Sequence, residues 1–322
     1  MSSAGKLTLA LSAILVFFGV ILIVFFVAGR ARGKFQNPLA RLIFLGPAVL
    51  LLFVGLVVPA LQTFNASFKD QNGKKYVGLN NFSWIFSTSD NRTMLVTTAL
   101  WIIVVPIAAT ALGLTLALLL DRMKRESLPK SLIFMPMAIS FVGASIIWGL
   151  VYESRDPAEP QVGLLSAVVM KLGWSNPPNW LLEAPLNNFL LMIIMIWIQV
   201  GFAMVILSAA IKAIPTDVVE AAMLDGATGS RLFRFVTVPM IRGTLVVVLT
   251  TIMIAVLKVF DIVRVMTNGN FGTQIVANEM YSQSFVEDDK GRGSALAVIL
   301  FVGVIPLVAY NIRQLRKESE VR

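Results

Sequence analysis

The stretch EAAMLDG at residues 220–226, followed by VTVP at residues 236–239, is a polar, helix-forming island between two long apolar segments. The chain as a whole is strongly hydrophobic, since 57% of its 322 residues are hydrophobic and 14% are charged. Soluble domains carry about 45–50% apolar and about 25% charged residues. The composition therefore predicts an integral membrane protein. A polar loop of this size beside a membrane also predicts a partner, which is expected outside this chain.

The residue types that most enzyme chemistry needs are missing from the sequence. There is no cysteine and no histidine, which excludes disulfides, thiolate nucleophiles, imidazole bases and the commonest ligands of zinc and haem. No Gly-x-x-x-x-Gly-Lys-Ser/Thr stretch occurs either, so the loop that cradles the phosphates of ATP is absent. We predict that the chain is not an enzyme, with no catalytic residue, no metal site and no cofactor of its own.

Apolar runs along the chain are long enough to cross a membrane several times. A helix needs about 20 apolar residues to cross about 30 Å of hydrocarbon. The first run is longer than the apolar part of a signal peptide, so we expect it to be a retained span. The sequence predicts an all-α, polytopic helical bundle with spans at 7–28, 40–62, 94–119, 131–151, 187–210, 243–266 and 293–312.

The distribution of charge predicts the orientation of these spans. The segments after the first, third and fifth spans, together with the C-terminal tail, carry sixteen Lys and Arg residues, against nine on the other side. Cytoplasmic loops of membrane proteins accumulate Lys and Arg. We therefore expect the N-terminus outside the cell, the C-terminus in the cytoplasm and the island on the cytoplasmic side.

The first half of the island has the pattern of a short helix. Asp217 is an N-cap candidate, and Glu220 stands three residues later, which is the spacing of a capping box. Residues 218–224 would form the helix, and Gly226 can end it. One interpretation is that Glu220 does no more than cap this helix while the loop packs against its own bundle.

The second half of the island predicts another short helix, which would begin at Thr228 and stop before Pro239. The two helices would meet at a glycine corner. Ala221 and Ala222 leave a smooth face on which another backbone can approach closely. The alternative interpretation is therefore a protrusion that fits a socket on a partner, with apolar anchors and charge from Phe233, Phe235, Arg231 and Arg234.

Three segments on the expected outer face, 63–93, 152–186 and 267–292, are too long to be tight turns. The second has a short amphipathic pattern at 163–173, followed by Trp174 and Trp180. This pattern suits a helix that lies at the membrane interface with aromatic anchors. A surface cap and a docking site for an external protein are both compatible with it.

The spacing of the island resembles a known motif. Glu-Ala-Ala, three residues, Gly, nine residues and then aliphatic-x-aliphatic-Pro is similar to the EAA coupling loop of importer-type ABC transporter permeases. The resemblance covers most of residues 40–320 and is to the binding-protein-dependent sugar permeases, in particular the larger subunit of the maltose or alpha-glucoside type. Its supporting pieces are Trp197, Gly201-Phe202, AIP at 213–215, KVFDIV at 258–263 and TNG at 267–269. The segment 63–93 is much shorter than the external domain of the enterobacterial maltose subunit.

The resemblance implies a type I ABC importer permease core of six helices at residues 36–322, with a cytoplasmic coupling loop at 212–242. Residues 1–35 would add one N-terminal transmembrane helix and a basic cytoplasmic link. It implies coupling to the ATPase through eight residues, which are Glu220, Ala221, Ala222, Asp225, Gly226, Arg231, Phe233 and Pro239.

The partners that the resemblance implies are a second homologous permease, two cytoplasmic ATPase subunits that bind ATP and Mg²⁺, and an extracytoplasmic sugar-binding protein. The complex would lie in a bacterial plasma (inner) membrane. Its solute would be maltose, a maltodextrin, trehalose or another alpha-glucoside. Another solute such as glycerol phosphate or an amino acid is the alternative within the class. A secondary transporter is the alternative outside it, although no convincing inverted repeat with broken helices is found in the sequence.

Candidate solute-binding residues come from two sources. Alignment to the sugar-contacting part of the resembling permeases indicates Trp197, Gln199 and Phe202. Ionisable residues inside a span are costly and are functional candidates by default, which adds Lys258 and Asp261. With Arg264 at the outer end, these residues are expected on one broad face of a continuous sixth span. Mutual neutralisation of Lys258 and Asp261, and snorkelling of Arg264 to the interface, are the structural alternatives.

Overall fold

The computed structural model describes residue 19 and residues 38–121, 123–156 and 159–320. The predicted first span at 7–28 and the basic link to residue 35 therefore lie outside the described residues, apart from Gly19. The chain divides into two compact units, Met1–Asn65 and Ala66–Arg322. Within the described residues the secondary structure is helical except for one isolated antiparallel bridge between Lys69 and Tyr76.

The helices follow one another with few long connections. Three π-helical turns, Phe53–Val57, Phe233–Thr237 and Ser282–Val286, and one 3₁₀ turn, Met135–Ala138, continue helical runs. The α-helices of the described residues are α1 (Pro38–Leu52), α2 (Val58–Ala66), α3 (Asn80–Ser87), α4 (Ser89–Leu120), α5 (Ser127–Phe134), α6 (Phe141–Val151), α7 (Leu164–Lys171), α8 (Leu186–Lys212), α9 (Thr216–Leu224), α10 (Ser230–Leu232), α11 (Val238–Met240), α12 (Arg242–Leu257), α13 (Asp261–Met266), α14 (Val276–Tyr281) and α15 (Lys290–Glu320).

Four helical runs in the described residues are long and apolar enough to cross a membrane unbroken. They are Leu45–Ala66, Ser89–Leu120, Leu186–Lys212 and Lys290–Gln314. Two further candidates are bent pairs, Ser127–Ala138 with Phe141–Val151 at 104° and Ser230–Met240 with Arg242–Leu257 at 70°. The all-helical membrane fold is confirmed, and every predicted span after the first overlaps one of these runs.

The predicted span at 131–151 is not one straight helix. The chain leaves helical geometry at Ile139, which has an extended backbone (φ −87°, ψ 139°). Pro136 opens the 3₁₀ turn before it, and Ser140 caps the helix after it because its Oγ accepts a hydrogen bond from the Gly143 amide at 3.1 Å. The break is therefore encoded by a proline and an N-cap within five residues.

The predicted span at 243–266 is also broken, which corrects the expectation of a single charged face. Helix α12 ends at Leu257, and α13 begins at Asp261. At the break, Val259 is buried and the ring of Phe260 stacks on Tyr281 with centroids 5.1 Å apart. Because the helix stops at Lys258, the spacing between Lys258 and Asp261 no longer places them on one face.

Helices α4 and α8 form the centre of the second unit, and α12 packs beside α4 with α15 behind α12. The two central helices approach closely at Gly113, where a Cβ atom would lie 2.6 Å from the Ala203 Cβ and 2.8 Å from the Met204 amide nitrogen. Small residues allow such close packing of helices in membranes. The fully buried core between these helices includes Trp101, Val105, Leu191, Ile194, Met195 and Leu207.

The segment 152–186, which is expected on the outer face, contains the predicted amphipathic helix as α7, but one of its aromatic anchors has a different role. Trp180 is buried, and its indole Nε1 donates a hydrogen bond to the Ser166 hydroxyl at 2.8 Å. The same hydroxyl donates to the backbone oxygen of Glu153 at 3.0 Å. Trp180 therefore fixes α7 to the start of its own segment, whereas Trp174 is exposed.

Candidate functional site

The coupling segment, residues 212–242, begins with helix α9. Pro215 occupies the N-cap position, and no side chain caps this end. The predicted capping box is therefore wrong: α9 starts at Thr216, which puts Asp217 inside the first turn. The Asp217 carboxylate makes no capping hydrogen bond, but its negative charge stabilises the positive end of the helix dipole. The predicted stop is confirmed, because Gly226 follows the helix with φ +81°.

The second helical run of the coupling segment continues further than the sequence predicts. It starts after Gly229 and passes through α10, the π-helical turn Phe233–Thr237 and α11. The expected stop before Pro239 is wrong, because α11 begins at Val238 and places the proline in its first turn. Pro239 has no amide to donate, and the helical run accommodates it directly after the π-helical turn.

The side chains of the coupling segment face outward. No residue from 212 to 240 is buried, and Ile241 is the first that is. Large apolar side chains lie open, with 89% of Leu224 and 70% of Phe235 exposed. This exposure disfavours the interpretation that the loop packs against its own bundle. Of the predicted coupling residues, Glu220, Ala221, Asp225, Gly226, Arg231 and Pro239 are exposed, while Ala222 and Phe233 are half-buried.

Beyond Lys212, which pairs with Glu126, the charged side chains of the coupling segment form no ion pair within the described residues. Neither Glu220 nor Arg231 forms an ion pair or a side-chain hydrogen bond there, and the same holds for Arg234. An exposed surface that combines unpaired charges with open leucine and phenylalanine side chains is suited to contact another protein.

A cluster of five polar residues lies at the base of the coupling segment, and the sequence analysis did not identify it. We call it the base cluster: Asp121, Glu126, Lys130, Ser208 and Lys212. Lys130 pairs with Asp121 and, at 2.9 Å, with Glu126, and Lys212 pairs with Glu126. The Ser208 hydroxyl donates to Asp121 at 2.7 Å and lies 2.6 Å from the Lys130 Nζ. The i, i+4 spacing of Glu126 and Lys130 was the available sequence signal.

The two lysines change the titration of the base cluster. Hydrogen bonds from Lys212 and then Lys130 lower the pKa of Glu126 from its ordinary 4.5 to about 2. The stability from these pairs is therefore present above pH 4.5 and is lost only as the pH falls from 4.5 towards 2. The pairs that Glu126 makes are therefore intact at neutral pH.

A cavity of about 450 Å³ opens where the two broken spans meet the middle of α8. Gln199 and Asp261, two of the predicted solute-binding residues, both line it. The other lining residues come from α8 and from both sides of the break between α5 and α6; they are Met137, Ile139, Ser140, Phe141, Val142 and Ile198. Asp261 reaches the cavity because α13 starts anew after the break at Lys258–Phe260.

The other three predicted solute-binding residues do not line this cavity. The ring of Trp197 packs edge-on against Trp148, with centroids 5.7 Å apart, and Phe202 packs against the main core. Lys258 is exposed and forms no ion pair with Asp261. The guanidinium of Arg264 lies over the Tyr281 ring at 5.0 Å.

Comparison with known proteins agrees with this architecture. The family described as binding-protein-dependent transport system inner membrane component matches residues 109–315. The chain is 48% identical over 279 residues to the osmoprotective compounds uptake permease protein GgtC of Synechocystis sp. This alignment covers 86% of this chain and 99% of that protein. It is 46% identical over 287 residues to the alpha-glucoside transport system permease protein AglF of Rhizobium meliloti, covering 89% of this chain and 85% of that protein.

A solved structure shares the fold. The bacterial alginate ABC transporter, crystallised in complex with an alginate pentasaccharide-bound periplasmic protein, contains a chain that superposes with a TM-score of 0.72. The alignment covers 85% of this chain and 92% of that chain at 18% identity. The match to the family over residues 109–315 and the two relatives above 40% identity show that this chain belongs to the family of inner membrane components of binding-protein-dependent transport systems.

Proposed function

We propose that this chain is the larger permease subunit of an ATP-driven importer for neutral alpha-glucosides, which include maltose, maltodextrins and trehalose. The observation that carries the proposal is the outward-facing surface of the coupling segment, where Leu224 and Phe235 are exposed and Glu220, Arg231 and Arg234 form no ion pair within the described residues. A pair of cytoplasmic ATPase subunits would hold this segment, and a second permease would complete the pathway. An extracytoplasmic sugar-binding protein would deliver the solute, which the family description and the periplasmic protein in the alginate transporter complex support. The name of AglF supports an alpha-glucoside as the solute.

The mechanism follows from the shape of the coupling segment. Helix α9 follows α8 after a link of three residues. A partner that binds α9 is therefore connected to the end of a central transmembrane helix. Closure of the ATPase dimer around ATP would move the segment as a rigid body. The movement would then reach the part of α8 that lines the cavity with Ile198 and Gln199.

The cavity favours a neutral solute with hydroxyl groups. Its polar lining consists of Ser140, Gln199 and Asp261, and no Lys or Arg lines it. A carboxylate in a membrane interior accepts hydrogen bonds from hydroxyl groups and repels anions. Phe141 adds an aromatic surface for the apolar face of a sugar ring. Glycerol phosphate, which carries negative charge, fits this lining less well than an uncharged glucoside.

Substitution of Asp261 by Asn tests the cavity as a solute site. We expect uptake at limiting sugar concentration to fall by about tenfold or more, because hydrogen bonds to a charged group contribute about 1.5–3 kcal/mol. The measurement is uptake of a radiolabelled alpha-glucoside by membrane vesicles that contain the full transporter. Lys258→Gln is the matched control, since Lys258 lies outside the cavity and is expected to give wild-type uptake. Wild-type uptake by Asp261→Asn would show that the cavity does not bind the sugar.

The orientation can be tested because the chain contains no cysteine of its own. Ser230→Cys introduces an exposed thiol in the coupling segment, and Ser175→Cys introduces one in the outer segment 152–186. We expect a membrane-impermeant maleimide to label Cys at 175 in intact cells and to label Cys at 230 only after the cytoplasmic face is opened. The reverse pattern would contradict a cytoplasmic coupling segment.

A further inference from the structure

The base cluster joins three helical runs at one point. Asp121 follows the last residue of α4, Glu126 immediately precedes α5, Lys130 lies in α5, and Ser208 and Lys212 lie near the end of α8. The side chains at the centre are well covered, with 12% of Asp121 and 16% of Lys130 exposed. An ion pair that is largely shielded from water is screened less than a surface pair and is costly to break by removing one partner.

One face of α8 makes all of these contacts with α5. Gly201, Ser208 and Lys212 are separated by seven and four residues, so they share a face of the helix. At Gly201 the two backbones meet: a Cβ atom there would lie 2.5 Å from the Ile133 oxygen. Helix α5 is therefore clamped to α8 by backbone contact at one end and by the base cluster at the other.

The same helix leads from the base cluster to the cavity. Lys130 lies in α5, and nine residues later the run breaks at Ile139, which lines the cavity together with Met137 and Ser140. Nine residues of helix span about 13 Å. On the other side, Lys212 is the last residue of α8 and stands four residues before α9 begins at Thr216. The base cluster thus connects the coupling helix to the helical segment that forms one wall of the cavity.

We propose that the base cluster is the positioning device that makes α5 follow α9, so that movement of the coupling segment changes the shape of the cavity. Lys130 is its central residue, since it holds Asp121, Glu126 and Ser208 at the same time. The inference rests on the proposed function, because it assumes that ATPase subunits move the coupling segment. Without the cluster, α9 would move while α5 and the cavity wall lag behind.

The test uses the complete complex, with the second permease and ATPases, reconstituted in proteoliposomes with the sugar-binding protein. We expect Lys130→Met to lower the sugar-stimulated increase in ATP hydrolysis, and the sugar transported per ATP, by about tenfold, a typical coupling between two sites. Lys124→Met is the matched control, because Lys124 is exposed and forms no ion pair in the described part of the chain. Wild-type coupling in Lys130→Met would overturn the inference.

A covalent replacement of one ion pair separates coupling from stability. The double variant Glu126→Cys and Lys212→Cys removes the pair between these positions and should lower the sugar transported per ATP. Joining the two thiols with a short bifunctional methanethiosulfonate should restore coupling, and reduction should abolish it again. A merely stabilising role predicts no such recovery, and a cross-link that leaves coupling unchanged would overturn the inference. This arm decides the matter if Lys130→Met fails to assemble.

Parallel measurement of Glu220→Lys distinguishes this inference from the function on which it rests. If Glu220→Lys uncouples the complex while Lys130→Met and the cysteine pair do not, the base cluster is not the positioning device although the coupling segment works as proposed. If Glu220→Lys also couples normally, the proposed function itself is contradicted.

Discussion

Replacement of Glu220 by Lys is expected to leave the protein folded and inserted in the membrane, and to abolish sugar-stimulated ATP hydrolysis by the assembled complex. Glu220 is exposed on α9 and has no ion pair within the described residues, so the bundle does not need its charge. A reversed charge in a protein interface costs about 3 kcal/mol or more, roughly a hundredfold in affinity. The measurement is ATP hydrolysis with and without sugar-loaded binding protein.

Glu159→Lys provides the control for this prediction. It makes the same charge reversal at an exposed position of the outer segment 152–186, away from the coupling segment. Membrane insertion and purification yield are expected to match wild type in both variants, and only Glu220→Lys should lose stimulation. Unchanged stimulation in Glu220→Lys would contradict the proposed role of the coupling segment and, with it, the proposed function.

The second large effect is expected from Gly201→Ala, which adds one methyl group where α8 meets α5. The new Cβ would lie 2.5 Å from the Ile133 oxygen and 2.7 Å from the Phe134 Cα, and both are backbone atoms that cannot turn aside. Overpacking of this kind costs about 1–3 kcal/mol. We expect a lower midpoint in a thermal aggregation assay of the detergent-solubilised protein.

Gly149→Ala makes the same chemical change in α6, where the nearest atom to the new Cβ is the Met266 sulfur at 3.9 Å. Alanine is favoured over glycine in a helix by about 1 kcal/mol. The control is therefore expected to be as stable as wild type or more stable. Equal midpoints for both variants would contradict the close approach of α5 and α8.

Hydropathy and charge identified the spans from the sequence, but they could not show where two of the spans break. The break at Ile139 has local causes in Pro136 and Ser140. The hydrogen bond by which Ser140 caps α6 forms only when the chain leaves helical geometry at Ile139, so the sequence does not reveal it. The break at Lys258–Phe260 has no local signal, since Val259 and Phe260 suit a helix in a membrane. At this break Phe260 stacks on Tyr281, and the sequence does not reveal such a contact.

The two helices of the coupling segment and the glycine corner between them were predictable, because Gly226 and the N-cap candidates Asp217 and Thr228 are local signals in the sequence. The ends of these helices were less predictable. Pro215, and not Asp217, is the N-cap of α9, and Pro239 lies inside the first turn of α11 and not after the end of the helix. The base cluster was missed for another reason. Ser208 lies 78 positions from Lys130 and 87 from Asp121 in the sequence, and only the packing of α8 against α5 brings these residues together.

Among the candidate solute-binding residues, two polar residues in apolar spans are the ones that line the cavity. Gln199 and Asp261 have few uses in a membrane other than a cavity or a partner, and the structure places both in one cavity. Trp197 also has an ordinary packing role against Trp148. The prediction for Lys258 assumed a continuous helix, and the break at that residue removes its expected neighbour.

The central claim is that this chain couples ATP hydrolysis in partner subunits to the import of neutral alpha-glucosides. Its most direct test is ATP hydrolysis by the purified complex of both permeases and the ATPases, with its binding protein, across a panel of solutes. We predict stimulation by at least one neutral alpha-glucoside such as maltose or trehalose, and none by glycerol phosphate. Stimulation by glycerol phosphate alone, or sugar uptake by this chain in the absence of any ATPase, would contradict the claim.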